Sequence, residues 1–325
     1  MNSNPTAAAG SLQEALKGNF VIANLGAALD KDYPLPPDIR KSVTLVELDA
    51  GDRPIGTASD VYHRKVTVRS AVAGGKGKRT FTIAAHLGNC SLLKVDHKVT
   101  NYFGVDDLWR EVSTKEFETT TFPEVLAANG IKQVDFLKTD LEGVDFEVIK
   151  SCEALLPNTL AVQPELRFRP FYFDETPADE VITFLAKRGF DMLGLNPFYW
   201  KPNSKNRDAQ MDGSLAYVDC IFVRRADTLS PEALPLGVAK LIILCSLLEK
   251  RCHGAWLLDT YGSRLPQAWV GELKRFTEPA SFTAKFKAAM MDAIKATSFG
   301  RRYLARKYGM SFDHYSPTVF NCHNV

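Results

Sequence analysis

Short apolar runs alternate with helical stretches through the middle of this chain, and that alternation constrains the fold more than any other feature. Residues 134–139 (VDFLKT) read as a strand, 144–155 as a helix, 159–166 as a strand, 177–188 as a helix and 190–195 as a strand. Pro177 suits the first turn of its helix and Gly189 its end. Strand–helix–strand alternation implies a mainly parallel sheet with helices on both faces. In such sheets ligands bind beyond the carboxyl ends of the strands, near the point where strand order reverses.

The amino-terminal third adds further strands. Residues 20–25 (FVIANL), 43–48 (VTLVEL), 66–72 (VTVRSAV) and 79–84 are short, rich in β-branched residues and bounded by glycine or charge. A helix is predicted over 122–129, closed by Gly130, and a final strand over 216–224. Beyond Ser230 only helical patterns remain, over 235–251, 256–260, 272–276 and 282–306. The organisation expected is a flexible arm or one frayed helix over 1–18, an α/β domain over 19–226 and a helical extension over 227–325. In that extension Leu241, Leu244, Cys245 and Leu248 have the spacing of a helix packed on the domain, and a substrate lid or homo-oligomer contact is the further reading of the piece.

Composition narrows the partners. A chain of 325 residues with 45% hydrophobic and 24% charged residues can bury a full core. Its formal net charge is +2 with Lys and Arg scattered, so it lacks the basic footprint of a nucleic-acid binder. The six cysteines form no CxxC pair and match no zinc or disulfide framework, which reads as reduced thiols. The first twenty residues show no basic segment followed by an apolar core. The apolar stretch 236–248 contains Lys240 and falls short of the ~20 residues a transmembrane helix needs. A soluble, cytoplasmic protein is the expectation.

The chemistry concentrates in 134–151, VDFLKTDLEGVDFEVIKS. Lys138 and Asp140 interrupt an apolar strand, where a charge is costly unless it is paired or at the wet end. Asp140 and Glu142 flank the carboxyl end of that strand, and Gly143 lets the next helix start close to it. Local physics offers a plainer account, in which both acids cap the helix and favour its positive end.

The wider stretch resembles the FkbM-type methyltransferase family, whose hallmark is an apolar strand running into Lys-x-Asp-x-Glu-Gly and then a helix with Glu-Val-Leu/Ile-Lys. Lys138, Asp140, Glu142, Gly143, Glu147, Val148, Ile149 and Lys150 stand at the matching places. Residues 81–96 are similar to the family's strand and Ser-Leu-Leu turn, 121–130 to its next helix, and 162–166 with 184–195 to its later strands, so the resemblance spans roughly 20–225. It implies a Rossmann-like methyltransferase fold with a mainly parallel seven-stranded sheet and an antiparallel final strand. It also implies S-adenosylmethionine as cofactor and O-methylation of a hydroxyl on a sugar, glycan or small metabolite.

Carried over by position, Asn24, Gly26 and Ala27 would cradle the methionine part of the cofactor, and Glu47 with Leu48 would meet the ribose. Ser70 and Ala71 would lie by the adenine, and Asp140 by the cationic end. Asp140, Glu142 and His86 are the catalytic candidates, with His97 and Glu165 as further bases. A divalent ion on Asp140, Glu142 and Glu165 is chemically reasonable, but the spacing does not establish one and no metal is assigned. Arg167, Phe168, Arg169, Phe171, Tyr172 and Phe173 form an aromatic-basic run that suits either a stacking platform or core packing. The first loop, Asn24–Leu25–Gly26–Ala27–Ala28–Leu29–Asp30, departs from the family's Asp-x-Gly-Ala-Asn-x-Gly. That departure motivates a rival reading, a non-catalytic methyltransferase-like scaffold.

Overall fold

Runs that are apolar along their whole length must be covered on both faces, and β1 (Phe20–Leu25) and β2 (Val43–Asp49) are buried at every residue. They are interior strands of the sheet in the computed structural model, which describes residues 10–27, 33–51, 61–204 and 213–278. The other strands follow in chain order as β3 (Arg64–Arg69), β4 (Gly77–Ala84), β5 (Glu111–Thr119), β6 (Phe136–Thr139), β7 (Ala161–Leu166), β8 (Phe190–Trp200) and β9 (Ser214–Arg224). Seven of them form one sheet in the order β3-β2-β1-β6-β7-β9-β8. The first five in that order are parallel, and β9 runs antiparallel to both β7 and β8. The expected seven-stranded sheet with a reversed last strand is therefore present. Strand order reverses between β1 and β6, so their carboxyl ends frame the switch point.

The helices are α1 (Leu12–Leu16), α2 (Pro37–Arg40), α3 (His97–Phe103), α4 (Asp106–Trp109), α5 (Phe122–Ala128), α6 (Asp145–Ser151) and α7 (Ala178–Ala186), then α8 (Leu234–Leu247), α9 (Arg251–Tyr261) and α10 (Gln267–Thr277). Alternate residues of β1 point to opposite faces. Val21, Ala23 and Leu25 pack with Leu126 of α5, Val148 of α6 and Leu185 of α7. Phe20 and Ile22 pack with Leu12 and Leu16 of α1 and with Leu241 and Leu244 of α8. The carboxyl-terminal helices thus form the second layer of the sandwich.

Within the amino-terminal segment the helix alternative holds for α1, where Leu12 and Leu16 are buried and Ser11 and Glu14 form a reciprocal cap; residues 1–9 lie outside the described residues. The helix expected over 235–251 ends at Leu247, Glu249 takes a left-handed φ of 59°, and α9 begins at Arg251. The segments 256–260 and 272–276 fall inside α9 and α10, and 282–306 lies outside the described residues.

The segment 79–84 is a strand but not part of the main sheet. It lies within β4, which pairs antiparallel with β5 as a separate ribbon between β3 and β6. β5 has no apolar periodicity to announce it, because nearly all its residues are exposed. Thr120 N donates to Ala71 O at 3.1 Å and Ala73 N to Thr120 O at 3.0 Å, tying the ribbon's base to the end of β3. Among the described residues no helix is long and apolar enough to cross a membrane.

Candidate functional site

The loops at the switch point enclose a cavity of about 690 Å³, within the usual size of a small-molecule site. Its first wall comes from the ends of β1, β2 and β3: Gly26, Leu48, Asp49, Gly51, Ser70 and Ala71. Gly26 adopts a φ of +83°, and a Cβ there would stand 1.9 Å from Asp140 O, so only glycine lets the two turns close on each other. Gly26 N and Ala27 N both donate to Leu48 O, at 2.9 and 3.1 Å.

The second wall holds charge. Asp140, Glu142 and Glu165 line the cavity and bring carboxylate oxygens within 4.8 Å of one another. Arg167 is buried behind them; its Nη2 donates to Glu142 Oε2 at 2.8 Å and also to Glu165 Oε1, and its Nη1 donates to Glu175 Oε1 at 3.0 Å. Clustered oxygens of this kind are the donors a hard cation takes. Here a guanidinium already bonds two of the three acids, and that pairing is the bland explanation for their proximity.

Glu142 is fixed from several sides. Tyr172 donates its hydroxyl to Glu142 Oε2 at 2.7 Å and in turn accepts from Trp109 Nε1 at 2.9 Å. The Ser91 hydroxyl donates to the Glu142 carbonyl at 2.6 Å. Burial pushes the Glu142 carboxyl up to about 7; Arg167 opposes the shift and the Asp140 charge adds to it. Burial also raises Asp145 to about 7, opposed by the Thr139 hydroxyl, and it raises Glu165 well above the carboxylate range against the pull of Arg167. The N-cap of α6 is Val144, without a side-chain cap bond, and Asp145 Oδ2 accepts from Leu141 N at 3.3 Å.

Of the residues expected at the site, Gly26, Leu48, Ser70, Ala71, His86, Asp140 and Glu142 line one cavity. Asn24, Ala27 and Glu47 do not. Glu47 is buried, and its Oε2 lies 2.8 Å from the ammonium of Lys65. It sits two residues below the end of β2, about 7 Å at the strand rise, so Asp49 reaches the cavity in its place. Asn24 is beside Glu47 and Lys138 in the sheet register and is equally deep. Residues 28–30 of the first loop lie outside the described residues. His97 does not line the cavity, and its Nδ1 lies 2.7 Å from Asp106 Oδ1. The aromatic-basic run divides: Arg167, Phe171 and Tyr172 are buried, whereas Phe168 and Phe173 are exposed.

Sequence reasoning missed three contributors. Asp49 was readable as the last acid of its strand. The Tyr172–Trp109 support of Glu142 joins residues far apart in the chain and leaves no local signal. The third wall comes from the ribbon, through Phe81, Ile83, Lys115 and Phe117.

The strand order, the reversed β9 and a cavity at the switch point define a Rossmann-like methyltransferase fold. Residues 48–192 match the family model described as methyltransferase FkbM domain. The matched stretch begins near the end of β2 and stops inside β8, leaving β1, β9 and α8–α10 outside it. No curated protein and no solved structure matches the chain.

Proposed function

We propose that this chain is an S-adenosylmethionine-dependent O-methyltransferase acting on a small-molecule hydroxyl, with Glu142 as general base. The observation that carries this reading is the one-sided loading of the Glu142 carboxylate. Oε2 accepts from both Tyr172 and Arg167, so Oε1 is left to take a proton from an acceptor in the cavity that Glu142 lines. A carboxyl raised to about 7 by burial is matched to that task near neutral pH.

The first wall fits the cofactor. Its side chains are small at Gly26, Gly51, Ser70 and Ala71, and Asp49 offers a carboxylate where a ribose diol would need acceptors. When bound, S-adenosylmethionine supplies an activated methyl group on a cationic sulfonium. Asp140 lines the same cavity, and its carboxylate would favour that cation and help position it against the acceptor.

Titration calorimetry with S-adenosylhomocysteine tests the reading directly. We expect saturable binding, weakened about 10- to 100-fold by Asp49→Ala, the range expected for loss of hydrogen bonds to a charged group. No heat at millimolar ligand would leave the scaffold reading in its place.

A further inference from the structure

We infer that the β4–β5 ribbon is the acceptor-recognition wall, and that it selects an aryl hydroxy acid, a hydroxyl-bearing acceptor with a flat apolar ring and an anionic group. The inference rests on the methyltransferase reading of the same cavity and names its substrate class.

Phe81 and Ile83 of β4 and Lys115 and Phe117 of β5 all line the cavity. They share one face because each pair is two residues apart and Phe81 stands opposite Lys115 in the register. The Phe81 and Phe117 rings meet edge to face, 5.4 Å apart at 84°, and neither ring is fully buried. With Leu87 and Leu92 beside them, they make an apolar wall that suits a flat ring. A sugar stacks only a C–H face on such rings, and its rim of hydroxyls meets no hydrogen-bonding side chain among Phe81, Ile83, Phe117, Leu87 and Leu92.

Charge then fixes the orientation. Lys115 Nζ lies over the Phe117 ring, 5.1 Å from its centroid, and forms no ion pair or hydrogen bond with any described residue. The neighbouring basic residues are paired: Lys78 with Glu118 at 3.9 Å, Lys76 with Glu124 at 2.7 Å and Arg79 with Glu147 at 2.8 Å. Asp140, Glu142 and Glu165 line the same cavity. An acid entering this cavity is drawn to Lys115 and kept from the Asp140 carboxylate, which leaves the other end of its ring for Glu142. The hydroxyl to be methylated then faces the base, and the anion stays at the ribbon.

The test uses the full chain saturated with S-adenosylhomocysteine and three calorimetric probes: 4-hydroxycinnamate, its neutral analogue 4-hydroxycinnamyl alcohol, and a methyl glucoside. The acid is expected to bind at least about ten-fold more tightly than the alcohol, as one charge-assisted contact allows, and the glucoside to give no heat. Lys115→Met should reduce the acid to the level of the alcohol and leave the alcohol unchanged. Phe117→Ala should weaken both aryl probes, with S-adenosylhomocysteine affinity intact in each variant. The inference is overturned if the glucoside binds as well as the acid, if Lys115→Met leaves the acid–alcohol difference in place, or if loaded protein rejects the acid. Failure to bind S-adenosylhomocysteine overturns the parent reading as well, so the two failures are distinguishable.

Discussion

Glu142 is one of three described non-glycine residues with positive φ, at 50°, a conformation that costs about 1–3 kcal/mol. Its carbonyl is held by Ser91 and its carboxylate by Tyr172 and Arg167, so the surroundings over-determine a backbone the chain would not choose alone. The residue serves as a base only when deprotonated. With its carboxyl raised from 4.5 to about 7, kcat/KM should rise with pH along a limb centred near neutrality, a macroscopic value shared with Asp145 and Glu165. Stability runs the other way. A carboxyl raised in the folded state contributes stability that is fully present below about pH 4.5 and lost as pH rises through about 7. Glu142→Gln should therefore lower kcat by roughly 10²–10⁴ and abolish the limb, without lowering the melting temperature at pH 8. A pH–rate series on the variant decides it; an unchanged limb would assign the base elsewhere.

Among the elements, α8 carries the clearest energetic statement. Lys240 is buried on it, and its ammonium lies 2.8 Å from Asp135 Oδ1, while Asp135 Oδ2 accepts from Val21 N at 2.8 Å. The pair joins α8 to the start of β6 and the side of β1. Breaking a buried pair by removing one partner typically costs 3–5 kcal/mol, because the other charge stays behind unpaired. Lys240→Met should accordingly lower stability by about that amount in urea unfolding, and adding Asp135→Asn should recover most of the loss. Equal losses in the single and double variants would show that the pair does not act as a unit. The sequence showed Lys240 only as a charge in an apolar stretch, and its partner lies 105 positions away.

At the scale of the whole molecule, α8–α10 complete the fold rather than decorate it. Phe20, Ile22, Leu45, Phe136 and Ala161 of the sheet share one buried cluster with α8, α9 and α10. A chain ending at Arg225 would expose that sheet face to water, an apolar patch well beyond what folded monomers tolerate. We expect it to bind a hydrophobic dye strongly and to lose its cooperative thermal transition. A sharp transition in the shortened chain would restore the boundary near residue 226 that the sequence suggested.

What the sequence determined by itself was the alternation of strands and helices, because periodicity and end signals are local properties. With the family resemblance it also indicated the sheet topology and the turn at Asp140–Gly143. The tertiary structure decided which residues share the cavity. Glu47 and Asp49 have the same charge and lie two positions apart, and only depth in the sheet separates a buried ion pair from a cavity wall. The ribbon was decided there too: β5 has no apolar pattern, and Lys115 and Phe117 acquire a role only once β4 and β5 pair and the ribbon is tied to the end of β3. Burial and long-range pairing are set by the packed chain as a whole, and no window of sequence contains them.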